Sequence, residues 1–236
     1  VSKGSSLCKV LGGLAATGAA GLVAYALAVR PWHLRWGTTG REAEEPLPGD
    51  ALIPEPRIQA THAILIEAPA ADIWPWLLQW GYERGGFYSY DWIDRALGTK
   101  GVTSVERIVP EHQHLEVGDL VPVAPDGNGF VVAAIEPGQM ITLRARYDMA
   151  SGEPLTARNP LPEEYLDCSW TWLLRPLDEA RTRLVMRTRI NYNPSPANAF
   201  LYRAFVEPGS FIMERKMMLG IKARAERQRQ AGASAA

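Results

Sequence analysis

From Thr61 to Glu67 positions alternate with a period of two, His62, Ile64 and Ile66 on one face and Ala63, Leu65 and Glu67 on the other. This predicts a strand closed by Pro69. Ala70 to Trp80 then predicts a helix ended by Gly81. Pro75 is compatible with it if it falls among the first helical residues, whose N–H groups lack an intrahelical acceptor. Tyr88 to Leu97 predicts a second short helix stopped by Gly98. Strand-length runs return at Gly118 to Val123, Gly129 to Glu136, Met140 to Tyr147, Asp167 to Arg175 and Thr182 to Tyr192, separated by turn signals such as Asp126-Gly127-Asn128-Gly129 and Glu136-Pro137-Gly138. In the last run Leu184, Met186, Ile190 and Tyr192 oppose Arg183, Arg187 and Arg189, and in the one before it Trp170, Trp172 and Leu174 oppose Thr171 and Arg175.

Pro196 to Gln228 has helical spacing, interrupted at Glu207-Pro208-Gly209-Ser210. Its second part sets Met213, Met217, Met218 and Ile221 against Arg215, Lys216, Lys222, Arg224, Arg227 and Arg229. That basic face reads either as a solvated helix face or as one that touches anionic headgroups. The order of elements predicts an α+β fold, a helix-grip in which a curved antiparallel sheet wraps a long C-terminal helix.

Ahead of this lies a run of 20 residues without a charge, Val10 to Val29, long enough to cross the roughly 30 Å hydrocarbon layer of a bilayer. Residues 1–36 therefore read as an N-terminal hydrophobic helix acting as membrane anchor, with a cleaved signal segment or a buried helix as alternatives. Lys3 and Lys9 on one side and Arg30, Arg35 and Arg41 on the other leave the orientation open. Trp32 and Trp36 fit an interfacial anchor or packing against the domain. The expected location is the membrane, through one N-terminal span. Residues 37–57, rich in Pro, Gly and acids, read as a linker, 58–230 as the folded domain and 231–236 as a frayed tail.

A formal net charge of -1 supplies no field for a nucleic-acid partner, and none is predicted. Cys8 and Cys168 form no disulfide framework, and Cys168 reads as a small buried side chain. His112 and His114, near Glu111 and Glu116, lack a third spaced ligand, so neither a metal nor another cofactor is expected.

Ile73 to Trp92 holds eight aromatic residues in 20, although aromatics are 9% of the chain. From this block Trp76, Phe87, Tyr88, Tyr90 and Trp92, from the strands Trp170, Trp172, Met186 and Tyr192, and from the last helix Met213 and Met217 are the candidate ligand-binding residues. Such side chains can line an apolar cavity or fill a solid core, and the sequence leaves both open. Tyr88, Tyr90 and Asp91 are candidate proton carriers, although an acid at Asp91 is equally a helix-start residue.

Several blocks give the chain a resemblance: Arg30 to Gly37, Pro46 to Asp50, Ile73 to Gln79, Gly85 to Trp92, Val117 to Asp119 and Met213 to Lys222. Together they resemble the START/Bet v1-like (SRPBCC) superfamily, in particular bacterial polyketide cyclase/dehydrase-like members, over about Arg30 to Arg227. The resemblance implies a deep apolar cavity between sheet and last helix. Its members include carriers, sensors and enzymes, so the fold does not choose among them. The expected partner is a small hydrophobic molecule such as a lipid, isoprenoid or polyketide; the alternative is a cyclase/dehydratase-type enzyme working in the same cavity.

Overall fold

The structure, a computed structural model, describes residues 24–235. Six antiparallel strands, β1 (Ile58–Ile66), β2 (Leu120–Pro122), β3 (Gly129–Glu136), β4 (Met140–Asp148), β5 (Tyr165–Pro176) and β6 (Thr182–Tyr192), form one sheet in the order β1-β6-β5-β4-β3-β2. The helices are α1 (Arg30–Leu34), α2 (Gly40–Glu44), α3 (Ala70–Leu78), α4 (Asp91–Ala96), α5 (Pro196–Leu201) and α6 (Glu207–Ala235). The sheet curves around α6, and the α+β helix-grip expected from the sequence is the observed architecture. β1, β3, β4, β5 and β6 begin and end within three residues of their predicted limits, because period-two alternation and turn residues act locally.

Three local expectations change. Pro75 lies inside α3, beyond its first turn. The short helix starts at Asp91 and not at Tyr88, because Tyr88 adopts a left-handed φ of 56° that no helix accommodates. Glu207-Pro208-Gly209-Ser210 does not interrupt the helix: the backbone stays helical from Pro196 to Ala235, and Pro208 follows directly on a wider turn in which the Glu207 N–H reaches back to the Tyr202 carbonyl. The irregularity is taken up just before, in the π-helical turn Tyr202–Val206.

The expected N-terminal membrane span is corrected. Among the described residues no helix is long and apolar enough to cross a membrane. Residues 10–23 of the Val10–Val29 run lie outside the described residues. Its end, Tyr25–Val29, is a π-helical turn that leads into α1. Trp32 and Trp36 pack edge-on against Phe211 of α6, at ring centroid distances of 5.4 and 6.2 Å. Arg30 makes a bidentate pair with the buried Glu207, both bonds 2.8 Å. The segment is thus bound to the domain by aromatic and ionic contacts.

Residues 37–57 cross the convex face of the sheet. Leu47 and Ile53 are buried there, Leu47 against Ala63, Met140, Leu173 and Val185. The acids of this strap meet the arginines that β6 turns outward. Arg183 forks Glu42 at 2.6 and 2.7 Å. Arg187 is only 2% exposed; it donates to Asp50, to the carbonyls of Glu42, Ala43 and Glu45, and to the Thr61 hydroxyl. A guanidinium removed from water in this way must find a partner for each N–H group, and it does. Gly37, at φ 73°, passes so close to β1 that a Cβ would sit 2.1 Å from the Ala63 carbonyl oxygen. Only glycine fits both that conformation and that approach.

On the concave face Ile66, Ile73, Trp76, Leu77, Tyr88, Trp172, Leu184, Met186, Met218 and Ile221 form one dry cluster. Gly220 lets α6 come down on the Gly85–Tyr88 turn, since a Cβ there would meet the Tyr88 carbonyl oxygen at 2.4 Å. The basic face of α6 is tied down by its surroundings, Arg224 to the Val105 carbonyl and Glu106, Lys222 to the Leu65 carbonyl of β1 and to Glu226 one turn on, and Arg229 to the carbonyls of Glu67 and Ala180.

Candidate ligand cavity

The interior is solid at one end and hollow at the other. Between the first turns of α6 and the concave face lies a cavity of about 1060 Å³, walled by Cys168 and Trp170 of β5, Thr188 and Ile190 of β6, and Gly209, Met213, Glu214 and Met217 of α6. Ile93, Asp94, Leu97 and Thr99, in and after α4, and the turn Val123–Asp126 form its opposite side. Leu97, Phe205 and Ile212 at the rim are exposed, so the apolar lining continues to the mouth.

Aromatic rings close the inner end. Trp80 meets Trp170 at 5.0 Å and 86° and Trp172 at 5.3 Å and 89°, edge to face with both. Phe87 lies 5.3 Å from Trp80, and Phe130 lies 5.8 Å from Trp170. Period-two alternation delivers Cys168, Trp170 and Trp172 to the same face of β5, and antiparallel register sets Trp170 opposite Thr188.

Of the candidate residues, Phe87, Trp170, Met213 and Met217 line the cavity. Trp76, Tyr88, Trp172 and Met186 belong to the solid end; Trp76 and Tyr88 pack edge to face at 5.9 Å. Tyr192 lies in a separate buried cluster, stacked on Tyr202 at 4.0 Å. Tyr90 is half-buried under the Lys216 ammonium and Trp92 is 66% exposed.

The candidate proton carriers sit apart from the cavity. Burial raises the Tyr88 hydroxyl pKa, partly offset by Gln79 and Arg224. Asp91 accepts from the Ser104 hydroxyl at 2.7 Å and from the Ser104 N–H at 3.2 Å, which ties the start of α4 to the following loop.

The polar groups that do reach the cavity are others. Glu214 is 8% exposed and lines it. One of its oxygens accepts from the Thr188 hydroxyl at 3.1 Å, and the other stands 3.0 Å from Nδ1 of His62, which is 1% exposed. Nε2 of His62 is 2.8 Å from the His33 carbonyl oxygen. A carbonyl only accepts, so Nε2 carries a hydrogen, and the tautomer follows from the partner. The Nδ1 contact with Glu214 is bent, short of a well-aligned hydrogen bond.

Asp94, also on the lining, accepts from Ser89 at 2.6 Å. Burial raises its pKa, Ser89 works against this and the neighbouring Asp91 charge adds to it. The Cys168 thiol is raised by burial first, then by the charge of Glu214. It is an inert wall, not a nucleophile.

The sequence reading missed Glu214, His62, Thr188, Trp80 and Asp94. Two of them had a signal. His62 shares the inward face of β1 with Ile64 and Ile66, and Glu214 begins the i, i+3, i+4, i+7 stripe completed by Met217, Met218 and Ile221. A charge inside an apolar stripe marks either a partner or a site.

No family model matches the chain, and no curated protein matches it. Among solved structures, the chain is similar to the hypothetical protein jhp0584 of Helicobacter pylori, 14% identical over 76% of this chain and 95% of that one, TM-score 0.45. It is similar to the Zhui aromatase/cyclase of Streptomyces sp. R1128, 18% identical over 72% and 94%, TM-score 0.36. It is also similar to norcoclaurine synthase of Thalictrum flavum, 14% identical over 73% and 96%, TM-score 0.38.

Proposed function

We propose that the protein binds a small hydrophobic molecule in the cavity between α6 and the concave face of the sheet. The observation that carries this reading is the hollow itself: about 1060 Å³ bounded mainly by apolar and aromatic side chains, beside a core that is otherwise packed. A solid core is the rule because voids forfeit contacts, and a space this large falls at the upper end of small-molecule sites. Phe87, Trp170, Met213 and Met217 supply the apolar contact, with affinity from desolvating ligand surface at about 25 cal/mol per Å². Titration with the neutral dye Nile red tests it. Saturable 1:1 fluorescence enhancement that is lost in Met213→Trp, where the indole occupies the space, is expected. Non-saturating enhancement, or enhancement indifferent to Met213→Trp, overturns the reading.

A second reading, an enzyme of the cyclase/dehydratase kind acting in the same cavity, is favoured by one observation, the wall carboxyl of Glu214 standing 3.0 Å from the imidazole of the buried His62 behind it. Its test is the mass of the small molecule carried by purified protein. If wild-type and Glu214→Gln protein carry species that differ by one water, turnover is shown; identical species leave binding alone.

A further inference from the structure

Among the described residues five acids are buried, Glu42, Asp94, Asp167, Glu207 and Glu214. Four of them have a basic neighbour. Arg183 forks Glu42, Arg144 and Arg146 meet Asp167, Arg30 forks Glu207, and His62 stands 3.0 Å from Glu214. Asp94, 7% exposed, stands in no ion pair among the described residues, and the adjacent Arg95 donates instead to the Val102 carbonyl at 3.0 Å. A carboxyl taken out of water without a counter-ion is disfavoured in its charged form, and burial accordingly raises its pKa.

That one acid borders the cavity. Its Oδ2 accepts from the Ser89 hydroxyl at 2.6 Å, and its Oδ1 accepts from no described residue. The lining also holds Glu214 and the exposed Asp126, and not one Lys, Arg or His. Its side-chain donors are already committed: of the four lining hydroxyls, Ser89 donates to the Asp94 carboxyl, Thr99 to the Asp94 carbonyl and Thr188 to Glu214. The indole N–H groups of Trp80 and Trp170 lie enclosed within the wall. An anionic head would meet no cation there, and a neutral hydroxyl would leave Asp94 without a counter-ion. A protonated amine only donates, and it brings the charge that the fold withholds from this one acid.

We propose that the ligand is an apolar molecule bearing a protonated amine, seated with that amine on the Asp94 carboxylate. This rests on the binding function proposed above and narrows its ligand class. The amine does for Asp94 what Arg183 does for Glu42 and Arg30 for Glu207, with the difference that this partner arrives and leaves with the ligand.

Calorimetric titration with three probes of one shape tests it: 2-naphthylmethylamine, 2-naphthalenemethanol and 2-naphthoic acid, on the wild-type chain, on Asp94→Asn and on Asp94→Leu. On the wild type the amine is expected to bind about tenfold tighter than the alcohol, the scale on which a charge-assisted hydrogen bond exceeds a neutral one, and the acid is expected to bind weakest. In Asp94→Asn, whose amide keeps the shape and still accepts from Ser89, the preference for the amine is expected to fall to about threefold or less while the alcohol stays within about twofold of its wild-type affinity, a sign that the cavity is intact. Asp94→Leu, which removes the charge without leaving a polar group to bury, is expected to show the same loss of preference and decides the matter if the Asn variant does not fold. The alcohol or the acid binding as tightly as the amine on the wild type, no amine binding where Nile red still binds, or a preference unchanged in the folded Asp94 variants overturns the inference and leaves the binding function standing. Binding of none of the three, together with failure of Nile red, overturns both.

Discussion

Residues 187 and 188 are neighbours on β6, and each holds one end of a buried charge system on its own side of the sheet. Arg187 points to the convex face, where Asp50, three carbonyls and Thr61 take up its N–H groups. Thr188 points to the concave face and holds Glu214, whose remaining lone pairs border a cavity. Burial is similar, 2% exposure against 8%. Saturation is not. A buried charge with every hydrogen-bonding position filled is a structural joint; one with positions to spare at the edge of a hollow is suited to a ligand.

The largest expected effect breaks the joint. Arg187→Leu takes the buried charged donor away from Asp50 and from three strap carbonyls at once and is expected to cost about 3–5 kcal/mol in urea denaturation. Glu214→Gln, by contrast, is expected to cost about 1 kcal/mol or less, because the amide still bonds Thr188 and can donate to His62. Equal losses at the two positions would dissolve the distinction.

The next pair compares the filled and hollow ends through two glycines of α6. Gly220→Ala pushes a Cβ onto the Tyr88 carbonyl and is expected to lower stability by roughly 1–3 kcal/mol. Gly209 lines the cavity and a Cβ there meets nothing within 4 Å. Gly209→Ala is therefore expected to raise stability by about 0.5–1 kcal/mol through helix propensity. Paired melting curves check both signs; destabilisation at Gly209 would mean that the hollow end is filled after all.

The finest test is pH. Burial works against the ionised Glu42, yet the Arg183 fork and the Thr39 N–H bring its pKa below the ordinary value. Its contribution is thus present above the unfolded pKa and lost as pH falls through the depressed one. Asp94 has the opposite sign. Its pKa is raised by burial, so its contribution is full below the unfolded value and lost as pH rises through the raised one. Glu42→Gln should flatten the acid limb of a stability profile, and Asp94→Asn the decline on the way to neutrality. A shared limb for both would contradict the opposite placement of the two acids.

The strands and the amphipathic last helix were legible because alternation and 3.6-residue spacing are local, and so was the split of β6 into arginines outward and apolar residues inward. Phe87, Trp170, Met213 and Met217 were legible as candidates for the same reason. What misled was composition without register. The densest aromatic block contributes Trp80 and Phe87 to the cavity, but sends Trp76 and Tyr88 to the solid core and Trp92 to solvent. An apolar run at the N-terminus likewise suggested a span, whereas its described end runs into a segment that packs on α6.

The order of letters settled which face of each strand and helix turns inward, since that depends on residues two to four apart. Whether the enclosed volume is full or hollow depends on how residues more than a hundred positions apart meet: His62 with Glu214, Arg187 with Asp50, Tyr88 with Gly220. Pattern specifies direction, but a cavity is a difference between the space the backbone encloses and the volume its side chains fill, and that difference exists only once the sheet has closed on the helix.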